Sequence, residues 1–219
     1  MRIAVMQPYF LPYAGYFRLM SGVDAFVVYD TVQFPRGGWV HRNRLLRHDG
    51  RPAWLTLPLA SAPLHTRIHD LAFHERAHEF WRKRVGPFHA CVAPRGDAVA
   101  LAAEIGELPG SPVDLICRTL RCAARLLGFD VPFVMASSLA IPGPRDRLDS
   151  LVSICRELGA TEYVNAPGGR SLYAVGDFAR HGIALQFLPD YRGPEGSILQ
   201  RLQDESAGAL RREIDANLA

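Results

Sequence analysis

Two short, almost continuously apolar runs near the N-terminus constrain the fold most strongly. Residues 2–6 (RIAVM) and 24–30 (DAFVVYD) lack the alternation of apolar and polar residues that marks a strand with one solvated face. Between them, Pro12 is well placed to open a helix, and apolar residues at helical spacing continue to Gly22. Runs of this kind are typical of strands buried on both faces, as in the centre of a sheet that helices cover.

The same alternation of short apolar strands and helices continues along the chain. Further strands are predicted at 51–59, 66–73, 131–135, 161–165 and 182–188, and helices at 75–85, 99–108, 111–127, 145–158, 175–181 and 206–217. This order predicts an α/β fold, with α+β as the alternative, built as a mixed sheet with flanking helices. At 219 residues the simplest organisation is one domain, residues 1–219, in which 76–130 is mostly helical.

Charge and hydropathy exclude several classes of protein. The formal net charge is +3, and Lys83 is the one lysine among 25 basic residues. The arginines are scattered and balanced by 22 acidic residues, which argues against a nucleic-acid-binding protein. No apolar run approaches the roughly 18–20 residues of a membrane span. The N-terminus does not have the layout of a signal peptide, so we expect a cytoplasmic protein.

Polar and aromatic side chains are concentrated on the turns that follow the predicted strands. In the first part of the chain they are Gln7, Tyr9, Tyr13, Asp30, Gln33, Arg36, Trp39, His41, Arg42 and Asn43. Loops at strand ends are where open α/β sheets bind their ligands, so these residues predict a binding site. A second turn, NAPGGRSLY, holds Asn165, Gly168, Gly169 and Tyr173, and its amides could bind an anion or a carbonyl oxygen. The alternative is a plain connecting turn.

Several motifs resemble the WbqC-like family, named from proteins of bacterial polysaccharide clusters. They are MQPYFLPYAGYF, VYDTVQF, GWVHRNRL, NAPGGRSLY, GIALQFLPDY and SILQRL, so the resemblance covers nearly the whole chain. At position 41, where relatives usually have Asn, this chain has His41 and therefore gains a titratable base. The chain also resembles the branch of condensation enzymes that form the amide of lincosamide antibiotics.

The resemblance implies an amide-forming enzyme of antibiotic or polysaccharide biosynthesis. It would transfer an aminoacyl group from the phosphopantetheine thioester of a carrier protein to an amino sugar, without ATP or a bound cofactor. His41 would act as the base, Asp30 would orient it, and Gln7 would stabilise the tetrahedral oxyanion. The expected substrate-binding residues are Tyr9, Tyr13, Gln33, Arg36, Trp39, Arg42, Asn43, Asn165, Gly168, Gly169 and Tyr173. The competing class is a non-catalytic accessory protein that binds a sugar nucleotide or glycan.

Position 14 holds an alanine where a cysteine could have served as a nucleophile. Ala14 lies in the first turn of the helix predicted after Pro12, seven residues after Gln7. A cysteine there, with Gln7 before it and a histidine later in the chain, would give a site layout like that of cysteine proteases. Either acyl transfer is therefore non-covalent, or Ala14 replaces a native cysteine nucleophile.

Two other motifs are interpreted as coincidental. Residues 74–78 match the HExxH motif, in which His74 and His78 on one face of a helix would bind zinc. The flanking residues are charged, however, and no third ligand has a suitable spacing. We therefore predict no metal site, with a zinc hydrolase as the remaining alternative. The four cysteines fit no zinc or disulfide pattern, and Cys155 stands in mid-helix without a group that would lower its pKa.

Overall fold

In the part of the chain that the structure describes, seven short strands form one parallel sheet and one antiparallel hairpin. The computed structural model describes residues 1–108, 110–141 and 146–218. In chain order the strands are β1 (Arg2–Met6), β2 (Ala25–Val28), β3 (Arg42–Leu46), β4 (Pro52–Thr56), β5 (Phe133–Met135), β6 (Glu162–Asn165) and β7 (Ala184–Phe187). The parallel sheet has the order β5-β2-β1-β6-β7, and β3 pairs with β4 outside it.

The helices lie on both faces of the sheet. They are α1 (Ala77–Val85), α2 (His89–Val92), α3 (Ala98–Glu104), α4 (Pro112–Leu126), α5 (Arg147–Glu157), α6 (Val175–Ala179), α7 (Ile198–Asp204) and α8 (Ala207–Ala216). The 3₁₀ helices of the described residues are Ala14–Met20, Ile68–Asp70, Ala136–Ser138 and Pro167–Ser171. The start of α4 is fixed by a capping box, because Ser111 and Asp114 each bond the other's backbone N–H. None of the helices in the described ranges has the length and hydropathy needed to cross a membrane.

The α/β prediction is confirmed, with differences of detail. The five central strands are all parallel, so the antiparallel pair is separate from the sheet and does not make it mixed. The predicted strand 66–73 is wrong. It contains the 3₁₀ helix Ile68–Asp70 and takes part only in isolated bridges, because the amides of Ile68 and His69 donate to carbonyls of the loop after β2. Residue 145, the predicted start of α5, lies outside the described residues.

The sheet divides the apolar interior into two cores. Alternate residues of β1 point to opposite faces, so Ala4 belongs to one core and Ile3 and Val5 to the other. The first core is closed by α3, α4, α7 and α8, and the second by α5 and α6. Burial of both sheet faces explains why these strands are almost continuously apolar in sequence.

The order of the strands creates a switch point between β1 and β6. From β1 the chain continues to β2 and then to β5 on one side, whereas β6 and β7 extend the sheet on the other. In a doubly wound sheet, the connections after two such neighbouring strands lead away from each other and leave a crevice at their carboxyl ends. The residues that follow Met6 and Asn165 therefore lie at this crevice.

Candidate functional site

A cavity of about 870 Å³ lies at the carboxyl ends of the central strands. Gln7 follows β1, Tyr29 follows β2, Ser137 follows β5, and Asn165 ends β6, and all four line the cavity. Its volume is within the range of pockets that hold a small molecule of drug or nucleotide size. The cavity is thus at the switch point where open α/β sheets bind their ligands.

Seven of the residues predicted for the site are in the cavity wall. They are Gln7, Tyr9, Gln33, Asn165, Gly168, Gly169 and Tyr173. The structure adds residues that the sequence did not single out, notably Tyr29, Tyr163, Arg67, Arg147, His69 and Ser137. The predicted residues that do not line this cavity are Tyr13, Ala14, Asp30, Arg36, Trp39, His41, Arg42 and Asn43. The predicted site residues therefore fall into two groups. One group lines the cavity, and the other lies on the neighbouring hairpin or in the core.

Asp30 is fully buried beside the cavity wall and does not pair with His41. Its carboxylate accepts hydrogen bonds from the Ser137 backbone N–H (2.9 Å) and from Ser137 Oγ (2.5 Å). These bonds join the end of β2 to the 3₁₀ helix after β5. Asp30 consequently positions Ser137, and no hydrogen bond joins its carboxylate to the imidazole that we expected it to orient.

His41 is a half-buried residue between the hairpin and Phe34, whose ring lies edge-on at 5.0 Å. Burial, reinforced by the positive charges of Arg42 and Arg84, lowers its pKa from 6.5 to about 4. Within the described residues, the buried Nδ1 atom has no hydrogen-bond partner. A neutral imidazole of such low basicity is poorly suited to accept a proton at neutral pH.

The lowered pKa of His41 predicts a loss of stability in mild acid. Between pH 6.5 and 4 the unfolded chain binds a proton at this residue and the folded chain does not, so the free energy of unfolding falls as pH falls through that window. We expect the free energy of unfolding to fall by about 1–2 kcal/mol. This is less than the full pKa shift would give, because solvent screens the exposed part of the ring. Urea unfolding at pH 7 and pH 4.5 should show a smaller pH effect for His41→Gln than for the native chain. His65→Gln, at an exposed histidine, is the control and should keep the pH effect of the native chain. If His41→Gln also keeps the full pH effect, His41 is not its source.

Residues 13 and 14 are part of the packed interior. Tyr13 packs against Tyr191 with ring centroids 5.3 Å apart, and Ala14 is 0% exposed in the first core. The helix that follows Pro12 is the 3₁₀ helix Ala14–Met20 and not an α-helix. A cysteine at position 14 would lie in the core away from the cavity, so the cysteine-protease-like arrangement is not formed here.

The predicted residues of the β3–β4 region have separate roles. Asn43 is buried and donates to the carbonyls of Phe10 (3.1 Å) and Leu11 (2.6 Å). Leu11 has φ of 49°, an unfavourable value for a residue with a side chain, and the bond from Asn43 helps to hold it. Arg36 donates to the Ala62 carbonyl, whereas Trp39 and Arg42 face outward.

His69 is a cavity residue that sequence reasoning missed. Its Nδ1 atom is 3.0 Å from the Asp30 carbonyl oxygen, which can only accept, so Nδ1 carries the proton of this bond. Nε2 lies 3.3 Å from a carboxylate oxygen of Asp70. The long-range bond from Nδ1 has no local sequence signal, because it joins residues 39 positions apart.

The turn that contains Gly168 and Gly169, which we call the glycine turn, packs closely on the end of β6. A Cβ atom added at Gly169 would lie 2.7 Å from Asn165 Cγ, whereas one added at Gly168 would meet nothing within 4 Å. The Asn165 side chain also accepts a bond from the Ala166 amide at 2.8 Å. The absence of a side chain at Gly169 therefore sets the position of the Asn165 amide in the cavity wall.

The zinc-like motif and the cysteines have ordinary structural environments. His74 precedes α1 and His78 is inside it, so the two imidazoles are not on one helical face. Among the described residues, no group of three or more His, Cys, Asp or Glu side chains is arranged to hold a metal ion. Burial raises the pKa of Cys91, Cys117 and Cys155 to about 12, which makes these thiols unreactive.

The fold defines a doubly wound α/β protein with a cavity at its switch point. The chain belongs to the WbqC-like protein family, which matches residues 7–195. It is similar to the uncharacterized protein Rv1507c of Mycobacterium tuberculosis (strain ATCC 25618 / H37Rv), with 28% identity over 196 residues that cover 88% of this chain and 83% of that protein. No solved structure matches the chain.

Proposed function

We propose that this chain is an acyltransferase that binds an amino sugar in the switch-point cavity and forms an amide at its amine. The acyl donor is an aminoacyl thioester on the phosphopantetheine arm of a carrier protein. The observation that carries the proposal is a cavity of sugar or sugar-nucleotide size whose wall includes His69. Membership of the WbqC-like family is consistent with it, since the family is named from polysaccharide clusters.

The composition of the cavity wall suits a polar, ring-shaped acceptor. Amide side chains of Gln7, Gln33 and Asn165 offer both donors and acceptors to hydroxyl groups. Tyrosine rings provide flat apolar surfaces, and Arg67 and Arg147 can bind a phosphate or carboxylate of the acceptor. This mixture of aromatic and convergent polar groups is typical of sites for sugars and their activated derivatives.

The reaction that we propose is direct transfer from thioester to amine. The neutral amine attacks the thioester carbonyl carbon, so a C–N bond forms while His69 Nε2 takes the proton that the nitrogen loses. The C–S bond then breaks, and the proton passes from His69 to the departing sulfur. Gln7, whose side-chain amide has no hydrogen-bond partner among the described residues, donates to the oxyanion of the tetrahedral intermediate. In this proposal His69 takes the role that the sequence assigned to His41.

Direct transfer agrees with the absence of a reactive thiol at the site. The four cysteines have raised pKa values because of burial, and residue 14 is a buried alanine. A thioester is already activated, so amide formation needs neither ATP nor an acyl-enzyme intermediate. The second candidate function, an accessory protein that binds a sugar nucleotide without turnover, is favoured by the same lack of a reactive thiol.

Acceptor binding tests the assignment of the cavity. Isothermal titration with glucosamine and with UDP-glucosamine should show binding to the native chain that Tyr173→Ala weakens by about tenfold, because a wall of the cavity is lost. Trp39→Ala is the matched control, since Trp39 was predicted for the site but lies outside the cavity. Equal weakening by both variants, or weakening by Trp39→Ala alone, would contradict this location of the site.

The glycine turn gives a second test with a built-in control. Gly169→Ala should weaken acceptor binding by about tenfold, because the new methyl group displaces the Asn165 amide from the cavity wall. Gly168→Ala should change affinity by less than about twofold, since its Cβ meets open space. The same titrations measure both variants, and similar affinities for the two would show that Asn165 does not contact the acceptor.

A further inference from the structure

One exposed face of the β3–β4 hairpin carries aromatic and guanidinium groups that the cavity does not use. We call it the hairpin face; its residues are Trp39, Arg42, Arg44, Leu46 and Trp54. Trp39 is 43% exposed, Leu46 40% and Trp54 38%. The alternation of β3 accounts for this composition, because Asn43 and Leu45 point inward and the residues between them point outward.

The groups of the hairpin face are pre-arranged around Trp54. The guanidinium carbons of Arg42 and Arg44 lie 4.2 and 4.8 Å from the centre of the Trp54 ring, and Trp39 packs against Trp54 at 5.3 Å. Arg42 is also held by a 2.7 Å bond to the Gly37 carbonyl. Arg44, in contrast, makes no side-chain hydrogen bond within the described part of the chain, so its donors are available to a carboxylate or phosphate.

Charge is unevenly distributed along the sequence around this face. Residues 31–69 contain six arginines and one acidic residue, Asp49, although the whole chain has a net charge of only +3. The remainder of the chain is therefore net negative, and the hairpin face, with Arg42 and Arg44, belongs to the positive segment. A surface of this kind attracts an acidic partner and raises the rate of its association.

The hairpin face is connected directly to the cavity wall. The Trp39 carbonyl accepts a 3.0 Å bond from the Phe10 amide, one residue after Tyr9 of the cavity. Gln33 and His69, which belong to the same basic segment, are also in the wall. A partner bound to the hairpin face is thus anchored to the same segments that form the acceptor site.

We propose that the hairpin face docks an acidic protein surface, and, resting on the proposed acyl transfer, that this partner is the carrier domain that supplies the thioester. We favour a protein over a nucleic acid as the partner, because exposed Trp39, Leu46 and Trp54 offer apolar area around the arginines, as at protein interfaces. Trp and Arg are also the residues most enriched in the energetic centres of protein interfaces.

The test compares two donors in variants of the hairpin face. The variants are Arg44→Glu and Trp54→Ala, and the control is Arg212→Glu, which makes the same charge change at an exposed residue of α8. The carrier probe is an acidic peptidyl carrier domain loaded with alanine, and the small probe is the alanyl thioester of N-acetylcysteamine. We measure affinity for the carrier domain by isothermal titration and amide formation from each donor by mass spectrometry.

We expect both hairpin variants to weaken carrier binding at least tenfold and to form amide from the small thioester at the native rate. Arg212→Glu should behave as the native chain, and affinity should fall as salt is raised. Native-like carrier affinity of Arg44→Glu, no carrier binding by the native chain, or displacement of the carrier by single-stranded RNA would overturn the docking site. If Arg44→Glu weakens carrier binding but no chain forms amide from either donor, the docking site stands and the acyl-transfer proposal fails.

Discussion

Replacing His69 by glutamine is expected to lower the rate of amide formation by about a hundredfold or more. Glutamine can still donate a hydrogen bond towards the Asp30 carbonyl, as His69 Nδ1 does at 3.0 Å, but it cannot accept a proton from the attacking amine. Acceptor affinity should therefore change little, and the loss should appear in kcat. The measurement is steady-state amide formation from the alanyl thioester of N-acetylcysteamine, with acceptor affinity measured separately by titration.

His41→Gln is the matched control for this experiment. His41 lies outside the cavity and its pKa of about 4 makes it a weak base, so we expect less than about a threefold change in kcat. The opposite pattern, in which His41→Gln abolishes turnover and His69→Gln does not, would restore the role that the sequence indicated for His41. Equal losses in both variants would show that neither histidine acts as the specific base.

Replacing Gly15 by alanine is expected to cause the largest loss of stability, about 3 kcal/mol in the free energy of unfolding. The new Cβ would lie 2.6 Å from Cγ of Tyr191, far inside van der Waals contact. The Tyr191 ring has little freedom to move, because its hydroxyl donates to Glu213 and Arg18 lies over its face at 5.1 Å. Arg18 is itself buried and donates to the Pro189 and Asn217 carbonyls at 2.8 and 2.9 Å.

Gly37→Ala is the control, since a Cβ there meets nothing within 4 Å and its stability should change by less than about 0.5 kcal/mol. Chemical unfolding followed by circular dichroism measures both variants. A Gly15→Ala chain as stable as the Gly37→Ala chain would mean that Tyr13 and Tyr191 can repack around the added methyl group.

The strands and the location of the cavity could be predicted from sequence because both have local causes. The runs at Arg2–Met6 and Ala25–Val28 are apolar since both faces of the sheet are covered, and this burial is visible residue by residue. Gln7 and Asn165 follow or end neighbouring strands, so the general rule for ligand sites at strand ends selected them correctly as cavity residues.

The grouping of residues around the cavity could not be predicted, because it depends on contacts between distant segments. His69 reaches the cavity only because its segment pairs with the loop after β2, and the sequence suggested a strand at that position. Asp30 turned out to hold Ser137, a residue 107 positions away. The outward direction of Trp39 follows from the β3–β4 hairpin, and the short alternating run that forms β3 was not recognised as a strand.

Single-turnover mass spectrometry of the intact protein tests whether the chain transfers an acyl group directly from thioester to amine. The native chain and the Ala14→Cys variant are mixed with an alanine-loaded peptidyl carrier domain and glucosamine, and both the small-molecule product and the protein mass are followed. We predict alanyl-glucosamine amide from both chains and no acyl adduct on either, because residue 14 is buried in the core and transfer is direct. A covalent acyl adduct that forms only with cysteine at position 14 would contradict direct transfer. A carrier that keeps its acyl group in the presence of both chains would contradict acyl transfer altogether.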